Sequence, residues 1–295
     1  MTNKKITAIV FAVMATLLYA INMPFSKLLL NKVNPTTMSS LLYFGAGLGI
    51  FILSLFIKQN KNDSEQIIKK DLPYIIGMVI LDILAPIFLM IGLKNSTSSS
   101  ASLLNNFEIV CTSIIALVIF KECISKKLWF AIVLITCASF MLSIDNVESF
   151  TISWGSLFVL LATLCWGFEN NCTRNLANKN IFTVVTIKGI FSGLGSLIVS
   201  IILQETMPNY IYIILGLILG FIAYGLSIFF YIKAQGIIGA AKTSAYYALA
   251  PFIGTILSFL ILKEQLTKYY MIGLVIMIVG TIIVIKDTLT VNDKK

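Results

Sequence analysis

Long apolar stretches alternate with short polar connectors along nearly the whole of this 295-residue chain. A helix needs about 20 predominantly apolar residues to cross the hydrocarbon core of a bilayer. Ten stretches approach that length, and we number them spans 1 to 10. They lie at residues 6–30, 35–57, 72–93, 100–120, 127–145, 154–176, 182–203, 209–233, 240–262 and 268–286. The pattern therefore predicts an all-α integral membrane protein with ten transmembrane helices.

The composition supports the same class of protein. Hydrophobic residues make up 58% of the chain, charged residues make up only 12%, and the mean hydropathy is +0.94. A soluble domain carries about 25% charged residues and needs amphipathic helices, which these stretches lack. We therefore exclude a large soluble core.

The basic residues predict how the chain is oriented. The N-terminus, the C-terminus and the connectors on their side hold 15 of the 22 lysines and arginines, whereas the opposite connectors hold 5. Basic residues favour the cytoplasmic side, so we expect both termini and the connector 58–70 in the cytoplasm, and the connector 145–153 outside. The net charge of +9 then indicates anionic lipid headgroups as partners, and we expect no nucleic acid partner.

The two halves of the chain resemble each other. A shift of 147 aligns residues 10–32 with 157–179 at seven identical positions, and a shift of 142 aligns 100–122 with 242–264 at five. We therefore predict two repeats of five spans, in residues 1–146 and 147–295. Five is odd, so the second repeat would be inverted, an architecture typical of alternating-access transporters with a substrate site near the membrane midplane.

The ten spans, the duplication, the Lys-Glu endings at 121–122 and 263–264, and the segment 240–251 (AAKTSAYYALAP) resemble the EamA family of the drug/metabolite transporter superfamily. The resemblance covers essentially the whole chain. It implies a bacterial inner-membrane carrier, often an exporter, of amino acids or related metabolites. It also implies that spans 1, 3, 4, 6, 8 and 9 surround a central cavity and that spans 5 and 10 are peripheral. The family has no universal catalytic motif to carry over.

Polar side chains inside the spans are the candidate binding residues. A charge at the bilayer centre costs at least about 2.5–3.5 kcal/mol, so each one needs a function or a partner. Helical spacing places Tyr19 and Asn22 on one face of span 1, and the aligned Trp166 and Glu169 on one face of span 6. The full set of predicted substrate-binding residues is Tyr19, Asn22, Asp82, Asn105, Glu108, Trp166, Glu169, Asn170, Tyr224, Lys242, Tyr246 and Tyr247.

Other features of the spans have structural interpretations. Lys188 lies near no polar stripe and is not among the predicted binding residues, and for both Lys188 and Lys242 the sequence leaves open whether the side chain faces the cavity or reaches the membrane surface. Pro86 and Pro251 are expected to kink their helices beside the cavity. We interpret the Lys263-Glu264 pair as an interfacial anchor.

The missing residue types exclude several function classes. The chain has no histidine, which removes the usual base of hydrolytic triads and the commonest metal ligand. No phosphate-binding GxxxxGK[ST] motif occurs, and Asp82 is the only aspartate in the interior of a span, since Asp145 is the last residue of span 5. We therefore expect no enzyme activity, no catalytic residues, no metal and no cofactor.

The sequence thus predicts a secondary transporter, with export of amino acids or related zwitterions by alternating access as the leading hypothesis. Export of nucleobases, nucleosides or small drugs is an alternative, and a channel-like pore is a weaker one. We expect a small-molecule substrate, membrane lipids as partners, protons as the candidate coupling ion, and a monomer or weak homodimer in the cytoplasmic membrane. The sequence does not identify the substrate, the direction of transport or the coupling ion.

Overall fold

The computed structural model describes residues 3–57, 65–119, 125–146, 151–176, 179–238, 243, 246–264 and 267–292, and nearly all of them are helical. The α-helices are α1 (Asn3–Ala20), α2 (Asn22–Leu29), α3 (Pro35–Phe56), α4 (Leu72–Lys94), α5 (Ser98–Leu104), α6 (Phe107–Val118), α7 (Lys126–Ser143), α8 (Trp154–Arg174), α9 (Ile181–Ile202), α10 (Tyr210–Gly220), α11 (Ser227–Ile238), α12 (Ala250–Leu262) and α13 (Lys268–Asn292). A 3-10 turn covers Lys69–Asp71, and a π-helix covers Phe221–Leu226 between α10 and α11.

Seven helical segments in the described part of the chain are long and apolar enough to cross a membrane. They coincide with predicted spans 1, 2, 3, 5, 7, 8 and 10. Predicted span 6 corresponds to α8, which has 21 residues but carries Glu169, Asn170 and Asn171 in its C-terminal part. Predicted spans 4 and 9 correspond to shorter helices, because each is interrupted.

Spans 4 and 9 were expected to be continuous helices, and this expectation is wrong. Span 4 consists of α5 and α6, which are separated by a turn at Asn105 and Asn106. In span 9, a turn at 248–249 precedes α12, so Pro251 lies in the first helical turn and does not kink a helix. Proline favours that position because its missing N–H has no intrahelical acceptor there. Pro86, by contrast, does lie inside α4.

Helices from the first half of the chain pack mainly against helices from the second half. The most extensive contacts join α3 to α9, α4 to α8, α7 to α13, α1 to α11, and α6 to α8, and α5 also packs against α12. Glycine allows the closest approach, because a Cβ added at Gly47 of α3 would lie 2.6 Å from the backbone nitrogen of Ile190 in α9. Small residues at such crossings are typical of helices packed in membranes.

The distribution of polar side chains is the reverse of that in a soluble protein. Asp82, Asn22 and Ser192 are completely buried, whereas Phe56 is 82% exposed and Ile202 is 71% exposed. Soluble proteins rarely expose apolar patches of this size. These apolar side chains are therefore expected to face the lipid chains of the bilayer. A short antiparallel pair of strands, β1 (Ile144–Asn146) and β2 (Thr151–Ile152), follows α7.

Candidate functional site

A group of ionisable side chains, here called the charged cluster, lies where α3, α4, α8 and α9 meet. It consists of Asp82, Glu169, Lys188 and Tyr43. The Lys188 Nζ lies 3.1 Å from Asp82 Oδ2 and 3.0 Å from Glu169 Oε1. The Tyr43 hydroxyl donates a hydrogen bond of 2.8 Å to Asp82 Oδ1, and the Thr173 hydroxyl donates one to Glu169 Oε1. One ammonium therefore bridges two carboxylates from different halves of the chain.

The charged cluster is buried well inside the helices that form it. Asp82 is completely buried, and the side chain of Glu169 is only 2% exposed. A rise of 1.5 Å per residue places the backbone of these residues about 8–15 Å from the nearest helix ends. Charges at such depth are tolerated only when they meet partners, as they do here.

Lys188 corrects an interpretation made from the sequence. The sequence placed it near no polar stripe, because only its own helix was considered. In the structure Lys188 faces inward and contacts acids from α4 and α8, and its side chain is 16% exposed. A signal for this role was available, since three mid-span acids needed a counter-charge and Lys188 was the lysine deepest in a span.

A second polar contact joins α6 to α8 close to the charged cluster. Asn170 Nδ2 donates hydrogen bonds to Glu108 Oε1 at 2.6 Å and to Thr112 Oγ1 at 3.3 Å. Glu108 has no ion pair with any residue that the structure describes. Asp82, Glu108, Glu169 and Lys188 carry a formal charge of −2 when all are ionised, so this region attracts cations.

Tyrosines form an aromatic cluster beside the charged cluster. The Tyr19 ring centroid lies 5.9 Å from that of Tyr224 and 5.2 Å from that of Tyr247. Tyr43 joins the two clusters, since its ring centroid lies 5.4 Å from that of Tyr224. Centroid separations of about 4.5–7 Å are those of attractive aromatic pairs. Tyr231 extends the cluster on the other side of Tyr247, at 5.2 Å.

Two amides donate hydrogen bonds to two of the tyrosine hydroxyls in the aromatic cluster. Asn22 Nδ2 donates a hydrogen bond of 3.3 Å to the Tyr224 hydroxyl, and Asn105 Nδ2 donates one of 3.2 Å to the Tyr19 hydroxyl. Asn22 lies one residue after the break between α1 and α2, and Asn105 lies in the turn between α5 and α6. The helix interruptions therefore place these amides at the centre of the molecule.

A small cavity adjoins the aromatic cluster. It has a volume of about 10 Å³, which is room for about one water molecule, and it is lined by Tyr19, Ala20, Met23, Ser102, Asn105, Ala250 and Pro251. This cavity is too small for an amino acid, so a substrate bound at this position would need the helices to separate.

The other predicted binding residues have different positions. Trp166 is buried in the main apolar core, and Tyr246 accepts a hydrogen bond of 3.1 Å from the Thr16 hydroxyl through its backbone carbonyl. Lys242 lies outside the described residues. Tyr43 of span 2, Lys188 of span 7 and Tyr231 of span 8 were missing from the predicted set. The first two also show that spans 2 and 7 contribute to the central region.

Two glutamates bind the N-termini of partner helices in the same way. Glu205, which follows α9, accepts hydrogen bonds from the backbone nitrogens of Thr36 and Thr37 in α3, at 3.2 and 2.8 Å. Glu264, which follows α12, accepts them from Ser98 and Ser99 in α5, at 2.6 and 2.9 Å. A carboxylate at a helix N-terminus satisfies free N–H groups and meets the positive end of the helix dipole.

The residue before each of these glutamates also has the same backbone conformation. Gln204 and Lys263 are the non-glycine residues with positive φ among those described, at 53° and 52°. Each directly precedes its glutamate, and the left-handed conformation turns the chain back towards the partner helix. Hydroxyl pairs reinforce both contacts, at 2.7 Å for Thr37 and Ser200 and 2.8 Å for Ser98 and Ser258. We call these contacts the Glu205 clamp and the Glu264 clamp, and Glu264 is therefore more than the interfacial anchor expected from the sequence.

Lys27 and Lys179 join helix ends on opposite faces of the protein. Lys27 Nζ, at the end of α2, donates hydrogen bonds to the carbonyls of Leu93 and Ser96 at 2.6 and 2.7 Å, on the face that carries the clamps. Lys179, between α8 and α9, lies 3.0 Å from Asp71 and 3.1 Å from Glu65 on the other face. The hydrogen bond to Asp71 raises the pKa of Lys179 above its usual value.

No group of histidine, cysteine, aspartate and glutamate side chains within the described ranges has the arrangement needed to hold a metal ion. The arrangement instead suits a substrate bound by hydrogen bonds, charge and aromatic contacts. Such a region between two halves of a membrane protein is typical of a transporter.

Comparison with known proteins agrees with this interpretation. A sequence model described as the EamA-like transporter family matches residues 6–144 and again residues 153–286. An uncharacterized transporter of Methanothermobacter thermautotrophicus is 25% identical over 289 residues, which cover 91% of this chain and 83% of the relative. The uncharacterized transporter YyaM of Bacillus subtilis is 25% identical over 248 residues, 81% of each protein.

A solved crystal structure of 15% sequence identity has the same fold, with a TM-score of 0.68 over 94% of both chains. At this identity the likeness supports the fold alone. The family match covers both halves and nearly the whole sequence, and the chain therefore belongs to the EamA-like transporter family.

Proposed function

We propose that this transporter carries amino acids or related zwitterions out of the cell by alternating access. One observation carries the proposal: a charged cluster and an aromatic cluster meet at Tyr43, deep between the two halves of the chain. An amino acid with an apolar side chain presents charges and an apolar surface together. Each of its charges is costly to desolvate unless it meets a partner.

We propose that Glu108 binds the substrate ammonium. Asp82 and Glu169 are already in contact with Lys188, whereas Glu108 has only neutral partners among the described residues. The aromatic cluster would then contact the apolar side chain of the substrate. Lys242, which lies outside the described residues, remains our sequence-based candidate for the substrate carboxylate.

We also propose that residues 1–146 and 147–295 are inverted repeats. The contacts between spans support this, because exchanging each span for its counterpart five spans away leaves the main pairings unchanged. The pairs 2–7, 4–9 and 5–10 map onto themselves, and 1–8 maps onto 3–6. The turn in span 4 at Asn105 and Asn106, shifted by 142 residues, falls within one residue of the turn at 248–249 in span 9.

Alternating access requires one face to be closed while the other opens. The two glutamate clamps and Lys27 join helix ends on a single face, and the small central cavity suits a closed state. With the orientation predicted from the basic residues, this is the external face. We propose that the Glu264 clamp releases when the carrier opens outward, because it joins α5 and α12, which flank the central cavity.

The orientation can be tested directly. Single cysteines placed in the connector 58–70 and near the C-terminus of a cysteine-free variant should react with impermeant reagents only from the cytoplasmic side. A cysteine in 145–153 should react only from outside. Labelling from the opposite sides would reverse the proposed orientation, and the clamped face would then be cytoplasmic.

Any proton coupling is assigned to Glu108. The sequence named three mid-membrane acids, and two of them are engaged by Lys188. Glu108→Gln should therefore abolish accumulation driven by a pH gradient. Proton-driven accumulation that survives in this variant would exclude Glu108 as the coupling group, and a wild type indifferent to the gradient would indicate a uniporter.

The substrate is tested by counterflow in proteoliposomes with a panel of labelled amino acids and nucleosides. A carrier exchanges labelled for unlabelled substrate against a gradient, whereas a pore only equilibrates it. The tyrosines would also stack on a nucleobase, so a nucleoside that exchanges when no amino acid does would overturn the substrate class. Exchange should be abolished by Glu108→Gln and retained in Lys94→Ala, a matched control at an exposed position.

A further inference from the structure

The charged cluster holds a cation supplied by the protein itself. The Lys188 ammonium lies 3.1 Å from Asp82 Oδ2 and 3.0 Å from Glu169 Oε1, close to the usual length of a charge-assisted hydrogen bond. The two carboxylates come from α4 and α8, and the ammonium reaches between them from α9. Two buried carboxylates thus share one lysine ammonium.

The cation is necessary for both carboxylates to stay ionised. Asp82 is completely buried and Glu169 nearly so, and two like charges in such a place repel each other and lose their hydration. The Tyr43 and Thr173 hydroxyls also donate to these carboxylates, which favours the charged form. The surrounding groups therefore favour a bound positive charge whether or not it is attached to the chain.

We propose that Asp82 and Glu169 form a binding site for a monovalent cation and that Lys188 occupies this site permanently. Truncating Lys188 removes the ammonium and its aliphatic chain but leaves both carboxylates. The vacated space then admits a free ammonium-type cation, which can donate to the same two oxygens. Its binding would stabilise the folded protein, because the unfolded chain offers no such site.

The consequence for transport rests on the proposed function. A carrier whose cation site is filled by its own lysine needs no sodium or potassium ion to neutralise that site. Loss of Lys188 would create such a requirement. The cation site itself is tested without any transport measurement, so failure of the proposed function and failure of this inference are distinguishable.

The test is the thermal unfolding midpoint of purified Lys188→Ala in detergent, with methylammonium chloride or choline chloride at equal concentration. Methylammonium resembles the end of a lysine side chain, whereas choline is bulkier and has no N–H to donate. The variant should unfold roughly 2–4 °C higher in methylammonium at saturating concentration. The wild type and Lys188→Arg should show no difference between the two salts.

Matched variants decide what causes the shift. The triple variant Lys188→Ala/Asp82→Asn/Glu169→Gln has no carboxylate in the cluster and should show no preference for methylammonium. If Lys188→Ala does not fold, Lys188→Ala/Asp82→Asn restores the net charge of the wild-type cluster and should still show a smaller shift through Glu169. An equal response to both salts, or none in either carboxylate-bearing variant, would overturn the proposal and indicate that the carboxylates hold a proton instead.

Discussion

The two clusters at the centre of this transporter are carried by different kinds of helix. The acids and Lys188 of the charged cluster lie on α4, α8 and α9, which run without a break for 21 to 23 residues. The aromatic cluster lies beside interruptions, at Ile21, at Asn105 and Asn106, and in the π-helix Phe221–Leu226 that contains Tyr224. The charges are thus fixed on regular helices, and the tyrosines lie where helices change direction or pitch.

This difference has a physical reason. Buried ions need partners held at fixed distances, and a continuous helix fixes the positions of its side chains. A region that must open for a substrate needs helices that rearrange locally, and broken helices and π-turns are frequent at such sites. We therefore expect changes in the charged cluster to affect stability most, and changes in the aromatic cluster to affect transport more than stability.

The largest effect is expected from removing both acids that contact Lys188. Either Asp82→Asn or Glu169→Gln leaves the ammonium one carboxylate, whereas the double variant leaves a buried charge without an ion-pair partner in the cluster. The double variant should lose about 3–5 kcal/mol of unfolding free energy, more than the two single losses combined. Unfolding in mixed micelles measures all three, and simple additivity would show that the bridge is not a coupled unit.

The Glu264 clamp is expected to have the next largest effect. Glu264→Gln weakens the contact with the N-terminus of α5 and should lower the unfolding free energy by about 0.5–2 kcal/mol. Glu205→Gln is the matched control, because it weakens the equivalent contact between α3 and α9, which are both continuous. Both variants should lose similar amounts of unfolding free energy, but only Glu264→Gln should change the rate of substrate exchange. If both variants change the exchange rate equally, the two clamps stabilise the fold and neither has a specific role in opening.

A smaller effect on stability is expected at the aromatic cluster. Tyr224→Phe keeps the ring contacts with Tyr19 and Tyr43 and removes the hydroxyl that accepts from Asn22. The unfolding free energy should fall by about 0.5–1.5 kcal/mol, the usual net value of one hydrogen bond. If the hydroxyl contacts the substrate, the rate of counterflow should fall by more than this loss of stability explains. Full exchange with reduced stability would limit Tyr224 to packing.

Much of this architecture could be predicted from the sequence. Helix positions follow from long apolar stretches, because hydrophobic length is the dominant signal in a membrane protein. Asn22, Glu108 and Glu169 were identified because each is a polar group on an apolar segment. These signals are local and need no knowledge of the neighbouring helices.

Contacts between helices could not be predicted in the same way. Lys188 has no charged neighbour along α9, and Tyr43 lies in an apolar stretch rich in glycine, so neither has a local signal of its role. Their partners come from other helices, and single-sequence periodicity does not report which helices meet. The break at Asn105 and Asn106 was also missed, because polar residues in a helix are compatible with either a stripe or a turn.

The smallest effect is expected from a charge outside both clusters, and it provides the baseline for the comparison. Lys94 lies exposed at the end of α4, so Lys94→Ala should change the unfolding free energy by no more than about 0.5 kcal/mol and leave exchange unchanged.

Asn22→Ala is compared with this baseline. It removes a buried amide that donates to Tyr224 and accepts from Ser26. Exchange should therefore fall clearly in Asn22→Ala at normal expression. If it instead equals that of Lys94→Ala, the amide at the break between α1 and α2 serves packing alone, and the proposed link between broken helices and substrate binding fails at that position.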